Sequence, residues 1–332
     1  MGVTIVDIAK VVGVSYTTVS RALNNKKGVS SEMRDKIVKI SAEMGYQPNT
    51  LARGLVSNSS KTIGLIIPDI MNPFFPKIAR GVEDAASEKG YTVFLSNSNW
   101  DVEKEKECIN SLVSNRVDGI IINPNSTGDL VKLRDLKMPV VYVNTKFTEK
   151  DVCFINIDNV SGAKVATQHL IDIGYKRIGF VGGTVKSYSN NKRLESYIDT
   201  LENNNIKVDR DIIVNSKFDT EVAYLETKKM LKIENPPDAI FAANDIIALG
   251  VMHAVSEQGL KIPEEFGIIG FDDISEAKLP QIQLTTMSLP KYLMGKKAFE
   301  LLLEQMENDS INTAQYTIKP KLIERNTTKK RK

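Results

Sequence analysis

Residues 4–24, TIVDIAKVVGVSYTTVSRALN, decide the fold of the amino-terminal part of this 332-residue chain. Thr4 can open a capping box, with Asp7 reaching back to the Thr4 backbone N–H. Ile5, Ile8, Ala9 and Val12 then fall at i, i+3, i+4 and i+7, the stripe of a short amphipathic helix. Gly13 supplies the left-handed residue that ends it. Ser15 caps a second helix, whose apolar positions are Val19, Ala22 and Leu23. Two short helices joined by a tight glycine-containing turn make a helix-turn-helix. A third helix starts at Ser30 or Ser31, carries Met33, Ile37, Ile40 and Met44 on one face, and stops at Gly45.

The polar face of the second helix carries the function. Tyr16, Thr17, Thr18, Ser20 and Arg21 are hydrogen-bonding groups at the end of a recognition helix that enters a major groove. Arg21 suits a bidentate contact to guanine, worth about 1–3 kcal/mol of discrimination. Residues 1–60 hold eight Lys/Arg against four Asp/Glu, whereas the long middle of the chain is net acidic. A basic head on an acidic body fits nucleic-acid binding. A three-helix bundle that docks another protein is the alternative reading. Tyr46–Gln47–Pro48–Asn49 breaks the helical pattern, and Asn49 can cap a short helix from Thr50 to Val56. That segment is too short to be stable alone and is expected to form against a partner helix or DNA.

TIVDIAKVVGVSYTTVSRALN followed by GYQPNTLARGL (residues 45–55) is similar to the head and hinge of the lactose-repressor family, and the resemblance extends over nearly the whole chain. It implies a transcriptional repressor of carbohydrate-utilisation genes, acting as a homodimer on a pseudo-palindromic double-stranded operator. The hinge helices of two subunits would lie in the minor groove, with a leucine wedged between central base steps. Matching "ARGL", that leucine is Leu55, an apolar wedge beside Arg53; plain hinge packing is its alternative role. The DNA-binding residues expected are Thr4, Ser15, Tyr16, Thr17, Thr18, Ser20, Arg21 and Asn24 in the head, and Asn49, Ala52, Arg53 and Leu55 in the hinge.

From Thr62 the texture changes. Apolar runs at Ile63–Ile67, Thr92–Leu95, Gly119–Ile122, Val140–Val143, Ile178–Val181, Ala239–Ala242 and Gly267–Gly270 alternate with helical segments. Such alternation means parallel sheets covered on both faces. The stretch is long for one sheet, so two lobes are expected. The fold class is therefore α/β: a helix-turn-helix head (1–48), a hinge helix and linker (49–60), a two-lobed body with parallel sheets (61–325), which by resemblance is periplasmic-binding-protein-like, and a basic tail (326–332) expected to be solvated.

Ligands of such folds sit at the carboxyl ends of strands. The strand ends here carry Asn72-Pro73-Phe74-Phe75, Asn144, Phe218, Asn244-Asp245 and Asp272-Asp273, with Arg193 in a loop-to-helix region. Amides, a carboxylate and an arginine meet sugar hydroxyls, and aromatic faces pack on ring C–H groups. The resemblance supports this set, because periplasmic pentose-binding proteins and sugar-sensing repressors use these positions, and "NPFF" looks like the ribose-binding version. The expected effector residues are Asn72, Phe74, Phe75, Asn144, Arg193, Phe218, Asn244 and Asp272, with Arg193 and Asp272 foremost. Strand-end capping or turn chemistry is the alternative for each, and is preferred for Asp245 and Asp273. Asn144-Thr145 stands where many members have Asp-Arg, and Ser288 or Leu289 replaces a common glutamine, which leaves the sugar unnamed.

Other classes fit less well. The chain has no GxxxxGK[ST], no GxGxxG after a strand, no GxSxG and no HExxH, so an enzyme, a metal site or a bound cofactor is not expected. His169 and His253 fall in predicted helices as surface or packing residues. Cys108 and Cys153 read as reduced packing residues of a cytoplasmic protein. No run of about 18 apolar residues occurs, and Asp7 and Lys10 interrupt any signal-peptide pattern. A regulator of the catabolite-control type, answering to a phosphorylated carrier protein, is the remaining alternative. Its docking helix would be the one after "LTT", which here reads KKAFEL (296–301) and lacks paired arginines. A small-molecule effector is therefore preferred. With no heptad-bearing extension, a dimer is preferred to a tetramer.

Overall fold

The computed structural model describes residues 3–46, 59–125, 138–147, 151–308 and 313–331. It resolves into two compact units, Met1–Ser60 and Lys61–Lys332. The hinge positions Asn49, Ala52, Arg53 and Leu55 lie outside the described residues.

The described residues of the first unit form three helices, α1 (Ile5–Val12), α2 (Tyr16–Leu23) and α3 (Ser31–Glu43). Each begins on a side-chain cap. The Asp7 N–H donates to Thr4 Oγ1 at 3.3 Å while the Thr4 N–H donates to the Asp7 carboxylate at 3.0 Å. Ser15 Oγ accepts from the Thr18 N–H at 3.1 Å and Ser30 Oγ from the Met33 N–H at 3.3 Å. These bonds satisfy amide groups that the first turn of a helix leaves orphaned. Gly13 takes the left-handed conformation, φ 76°, that turns the chain between α1 and α2. Ile8, Ala9, Val12, Val19, Ala22 and Ile37 close a small core, so the apolar stripes read from the sequence meet.

The second unit holds twelve described strands: β1 (Thr62–Ile67), β2 (Thr92–Asn97), β3 (Ile120–Ile122), β4 (Val140–Val143), β5 (Phe154–Ile157), β6 (Ile178–Gly182), β7 (Ile213–Asn215), β8 (Ala239–Ala242), β9 (Gly267–Asp272), β10 (Thr285–Ser288), β11 (Gln315–Ile318) and β12 (Lys321–Ile323). They form two six-stranded sheets, ordered β11-β5-β4-β3-β1-β2 and β12-β10-β9-β8-β6-β7. Every pairing is parallel except β10 with β12. The described helices around them are α4 (Phe74–Glu88), α5 (Val102–Ser114), α6 (Asn159–Asp172), α7 (Tyr188–Asn203), α8 (Thr220–Met230), α9 (Asp245–Glu257) and α10 (Lys291–Asn308). Among the described residues, no helix is long and apolar enough to cross a membrane.

The chain passes between the sheets three times: after β5, after β10 and after β11. On the second passage α10 packs on α4 of the first lobe so closely that their backbones touch. A Cβ on Gly295 would fall 2.0 Å from the Ile78 carbonyl oxygen, and one on Gly81 2.1 Å from that of Tyr292.

The end of the chain corrects the expectation of a solvated tail. Thr327 and Thr328 are buried. Thr327 Oγ1 donates to the Ile268 carbonyl at 2.7 Å and accepts from the Thr285 N–H at 2.8 Å. Thr328 Oγ1 meets His169 Nε2 at 3.0 Å. Arg331 pairs with Asp238 at 2.9 Å and lies over the Tyr175 ring at 4.6 Å. The physical reason is that the starting ends of β9 and β10 carry backbone groups needing partners, and this segment supplies them. His253 stacks on Tyr224 at 4.4 Å, a packing role.

Candidate functional site

On α2, Val19 and Ala22 face the core, which turns the opposite side outward. Ser15, Tyr16, Thr17, Arg21 and Asn24 are exposed, Tyr16 by 62 %; Thr18 and Ser20 are half-buried. The Ser15 hydroxyl lies 2.6 Å from Thr17 Oγ1 and 2.9 Å from Thr18 Oγ1, so these three form the cap. Asn24 Nδ2 donates to the Ser20 carbonyl at 2.8 Å and closes the far end. Thr4 is likewise committed to its cap, and its hydrogen bonds hold the Asp7 carboxyl below the usual carboxylate range. Tyr16 and Arg21 are exposed and take no part in these caps. The N-termini of α1 and α2 present amide groups suited to phosphate.

In the body, the expected effector residues sit at or just beyond the carboxyl end of a strand or in the early turns of the helix that follows, at both sheets. Arg193, on α7, is 4 % exposed. Its Nε donates to Asn159 Oδ1 at 2.8 Å and its Nη1 to the Ala243 carbonyl. Nη2 lies 3.7 Å from Asp272 Oδ1, and Cζ sits 3.6 Å from the centre of the Phe271 ring. Burial lowers the Arg193 pKa to about 10, which still leaves it cationic at neutral pH. Burial pushes the Asp272 carboxyl up to about 6, against the pull of Arg193 and Lys291. Asp272 Oδ1 has no hydrogen-bond partner.

Two buried titratable groups flank this pair. Lys291, the buried first residue of α10, donates to the backbone carbonyls of Asp272 and, at 3.1 Å, Asp273, which have left-handed backbone at φ 114° and 54°. Nothing in the sequence marks this lysine, because a lysine at a helix start reads as solvent-facing. Asp245 accepts from Thr286 Oγ1 at 2.5 Å and the Ile274 N–H at 2.8 Å, and its pKa is raised to about 8 by burial and by Asp272. Asp273 is bound to Arg325 at 2.7 Å and accepts from Ser288 Oγ at 3.0 Å. The structure thus gives Asp245 and Asp273 internal partners.

In the first lobe, Asn144 Oδ1 is buried without a partner just past β4, and Asn123 Oδ1 and Thr145 Oγ1 are in the same condition. In the sequence Asn123 is marked only by its place one residue past β3. Asn123, Asn144 and Asp272 each leave an acceptor oxygen unmet, and a buried acceptor without a donor is costly. The arrangement suits a ligand that donates several hydrogen bonds. Asn244 is different: its Oδ1 accepts from the Ile247 N–H at 3.0 Å and caps α9. Asn72 Oδ1 accepts from the Phe74 N–H at 3.0 Å.

Asn72 and Phe218 come together in the wall of a cavity of about 660 Å³, with Asp69, Asp219, Tyr224 and His253. Arg193, Asn144, Asn244 and Asp272 do not line it. Phe74 meets Phe75 edge-on at 5.0 Å, Phe75 meets Trp100 at 6.1 Å, and Trp100 stacks on Phe218 at 4.9 Å and 25°. Phe218 also lies over Gly183, where a Cβ would fall 2.3 Å from the ring. It is 8 % exposed, so it does not offer the open face expected for a sugar.

The site predicts a pH profile. A ligand hydroxyl donating to Asp272 favours the ionised carboxylate, so effector affinity is expected to rise with pH and level off above about 6. Below that, affinity should fall about tenfold per pH unit. Arg193, Lys291 and Asp245 face the same carboxylate, and Asp245 stays protonated until about 8, so the plateau lies between the two values. Dissociation constants measured from pH 5 to 8 check this; a flat line would remove Asp272 from the ligand contacts.

Residues 4–49 match the family of bacterial regulatory proteins, lacI family, and residues 167–328 match a periplasmic binding protein-like domain. The chain is 36 % identical over 326 residues to the ribose operon repressor of Halalkalibacterium halodurans, covering 98 % of this chain and 97 % of that one. It is 35 % identical over 317 residues to catabolite control protein A of Priestia megaterium, covering 95 % and 96 %. The lac repressor dimer bound to operator and the anti-inducer ONPF superposes with a TM-score of 0.90 at 27 % identity, over 99 % of both chains. A regulator from Enterococcus faecium with bound ribose gives 0.73 at 26 % identity, over 82 % of this chain and all of that one. A helix-turn-helix unit and a two-sheet ligand-binding body define a ligand-responsive transcription regulator. The chain belongs to the lacI family of bacterial regulatory proteins. Its relatives include proteins named as repressors, among them the ribose operon repressor and the HTH-type transcriptional repressor CytR of Escherichia coli.

Proposed function

We propose that this protein represses carbohydrate-utilisation genes by binding a pseudo-palindromic operator as a homodimer, and that a small sugar held at Arg193 and Asp272 controls it. The observation that carries the effector reading is the buried Arg193–Asp272 pair, in which Asp272 Oδ1 lacks a hydrogen-bond partner. A polyol hydroxyl donates to such an oxygen, and the unpartnered amide oxygens of Asn123 and Asn144, just past β3 and β4, take further hydroxyls. The names of relatives point the same way, to ribose in particular.

The head reads a half-site through Tyr16 and Arg21, with the N-termini of α1 and α2 at phosphates. The hinge residues Asn49, Ala52, Arg53 and Leu55 enter the minor groove. Self-association is supported by β2, an edge strand with Phe94 and Leu95 exposed, beside exposed Ile70 and Met71. An unpaired apolar edge is a surface that proteins normally cover. Effector and operator then weaken or strengthen each other by one common factor, because each shifts the same two-state equilibrium. The catabolite-control alternative gains no support at α10, where Lys297 pairs with Glu300 at 3.2 Å and Lys296 lies 4.0 Å from Glu88.

The test is thermal unfolding against D-ribose, other pentoses, hexoses, their phosphates and purines. A ligand at 100 times its dissociation constant adds about 2.7 kcal/mol. A clear upward shift with one neutral sugar, accompanied by a change in operator affinity, is the expected result. A flat series would remove the sugar reading and turn attention to a protein co-regulator.

A further inference from the structure

Trp100, the chain's one tryptophan, is among neither the DNA-binding nor the effector residues expected from the sequence, yet it joins the two lobes. It follows β2 of the first sheet and precedes Asp101, the cap of α5; Phe218 follows β7 of the second sheet. Their stack prolongs the line Phe74–Phe75–Trp100–Phe218 until it ends over Gly183, past the end of β6. The Gly183 N–H donates to Asn190 Oδ1 at 2.6 Å, and Asn190 lies on α7, one turn before Arg193.

Both sides of the stack are conformationally costly. Asn99 and Trp100 have φ 53° and 58°, and Lys217 and Phe218 have φ 56° and 59°. Two successive left-handed residues that are not glycine persist only where the surroundings over-determine them, and such strain gathers at switches. Around Trp100, Asn125 Nδ2 donates to the Asp101 carbonyl at 2.9 Å and the Asp101 N–H to that of Ser98 at 3.0 Å. Around Phe218, the Ser216 N–H donates to the Gly182 carbonyl at 2.7 Å and the Asp219 N–H to that of Ser216 at 3.0 Å. Each loop is braced within its own lobe, and the ring stack links one strained loop to the other.

We infer that Trp100 and Phe218 form a latch between the lobes, stacked in the state described here and parted when the lobes turn against each other. Its trigger rests on the effector reading of Arg193, since contact there reaches Phe218 through Asn190 and Gly183. The latch itself can be tested without a ligand. An offset aromatic stack is worth roughly a 2- to 10-fold change in the population of the parted state.

The experiment uses the full-length protein without sugar or DNA. In Phe218→Leu, the emission of Trp100 is expected to shift to the red and its quenching by acrylamide to rise; Phe218→Tyr should keep both at wild-type values. In Trp100→Leu, the radius of gyration from small-angle scattering is expected to increase. The double variant should open no further than either single one. Unchanged emission in Phe218→Leu, or an unchanged radius in Trp100→Leu, overturns the latch. If Phe218→Leu cannot be purified folded, the scattering of Trp100→Leu decides alone. A flat sugar series leaves these results standing, and a failed latch leaves the Arg193 site standing, so the two readings fail separately.

Discussion

Arg193→Met should yield a protein that still binds its operator but no longer answers to its effector. Methionine keeps the length of the side chain and removes the charge. Asp272 then stays buried without its cation, and its carboxyl moves further up toward the protonated form. Asn159 Oδ1 and the Ala243 carbonyl lose their donor as well. Breaking a buried ion pair from one side costs about 3–5 kcal/mol. The body should therefore melt at a lower temperature, and effector affinity should fall by at least about 100-fold. The head unit has its own core, so its folding does not depend on this pair. Operator titrations with and without the sugar that raises the melting temperature make the measurement. Arg193→Met,Asp272→Leu should recover part of the lost stability and none of the effector response, which separates a binding role from a folding role. Operator release at wild-type sugar concentration by Arg193→Met would sink the assignment.

Arg21→Ala carries the second large effect, on the opposite function. Arg21 is exposed on the face of α2 away from Val19 and Ala22, so its loss should leave the melting curve of the protein unchanged. A bidentate arginine–guanine contact is worth about 1–3 kcal/mol, so operator affinity should fall roughly 5- to 150-fold. The preference for guanine at one position of each half-site should relax at the same time. If Arg21 touched only phosphate, all sequences would weaken alike and the salt dependence would flatten by about one ion per contact. Binding to an operator and to its guanine-substituted variants distinguishes the two outcomes.

The parts of this fold that are legible in the sequence are those written in local chemistry. Thr4, Ser15 and Ser30 announce helix starts because a short hydroxyl is the cheapest partner for an orphaned amide. The isoleucine and valine runs of β1, β3, β4 and β9 announce strands buried on both faces. What is illegible depends on distant neighbours. Gln315–Ile318 and Lys321–Ile323 are short, mostly exposed segments whose strand character comes from the sheets they join. Trp100 sits in a polar loop, and no periodicity links it to Phe218. Asn244 and Asp272 look alike as polar strand ends, yet the oxygen of one is spent on a cap and an oxygen of the other is left open. The structure likewise separates Asp273, already bound to Arg325, from Asp272 beside it.

The three passages of the chain between the sheets have a consequence for biosynthesis. The edge strand of the first sheet beside β5, β11, leaves the ribosome after every strand of the second sheet except β12. The first lobe must therefore wait, with β5 open along one edge, while its neighbour is made. Helix α10, which packs against α4, arrives in the same late interval. Nascent chains arrested before Gln315 would expose that edge, and it is there that a chaperone of the translating ribosome would find its grip. No single cut in the gene frees either lobe intact, so duplication or exchange of one lobe by simple recombination is closed to this architecture.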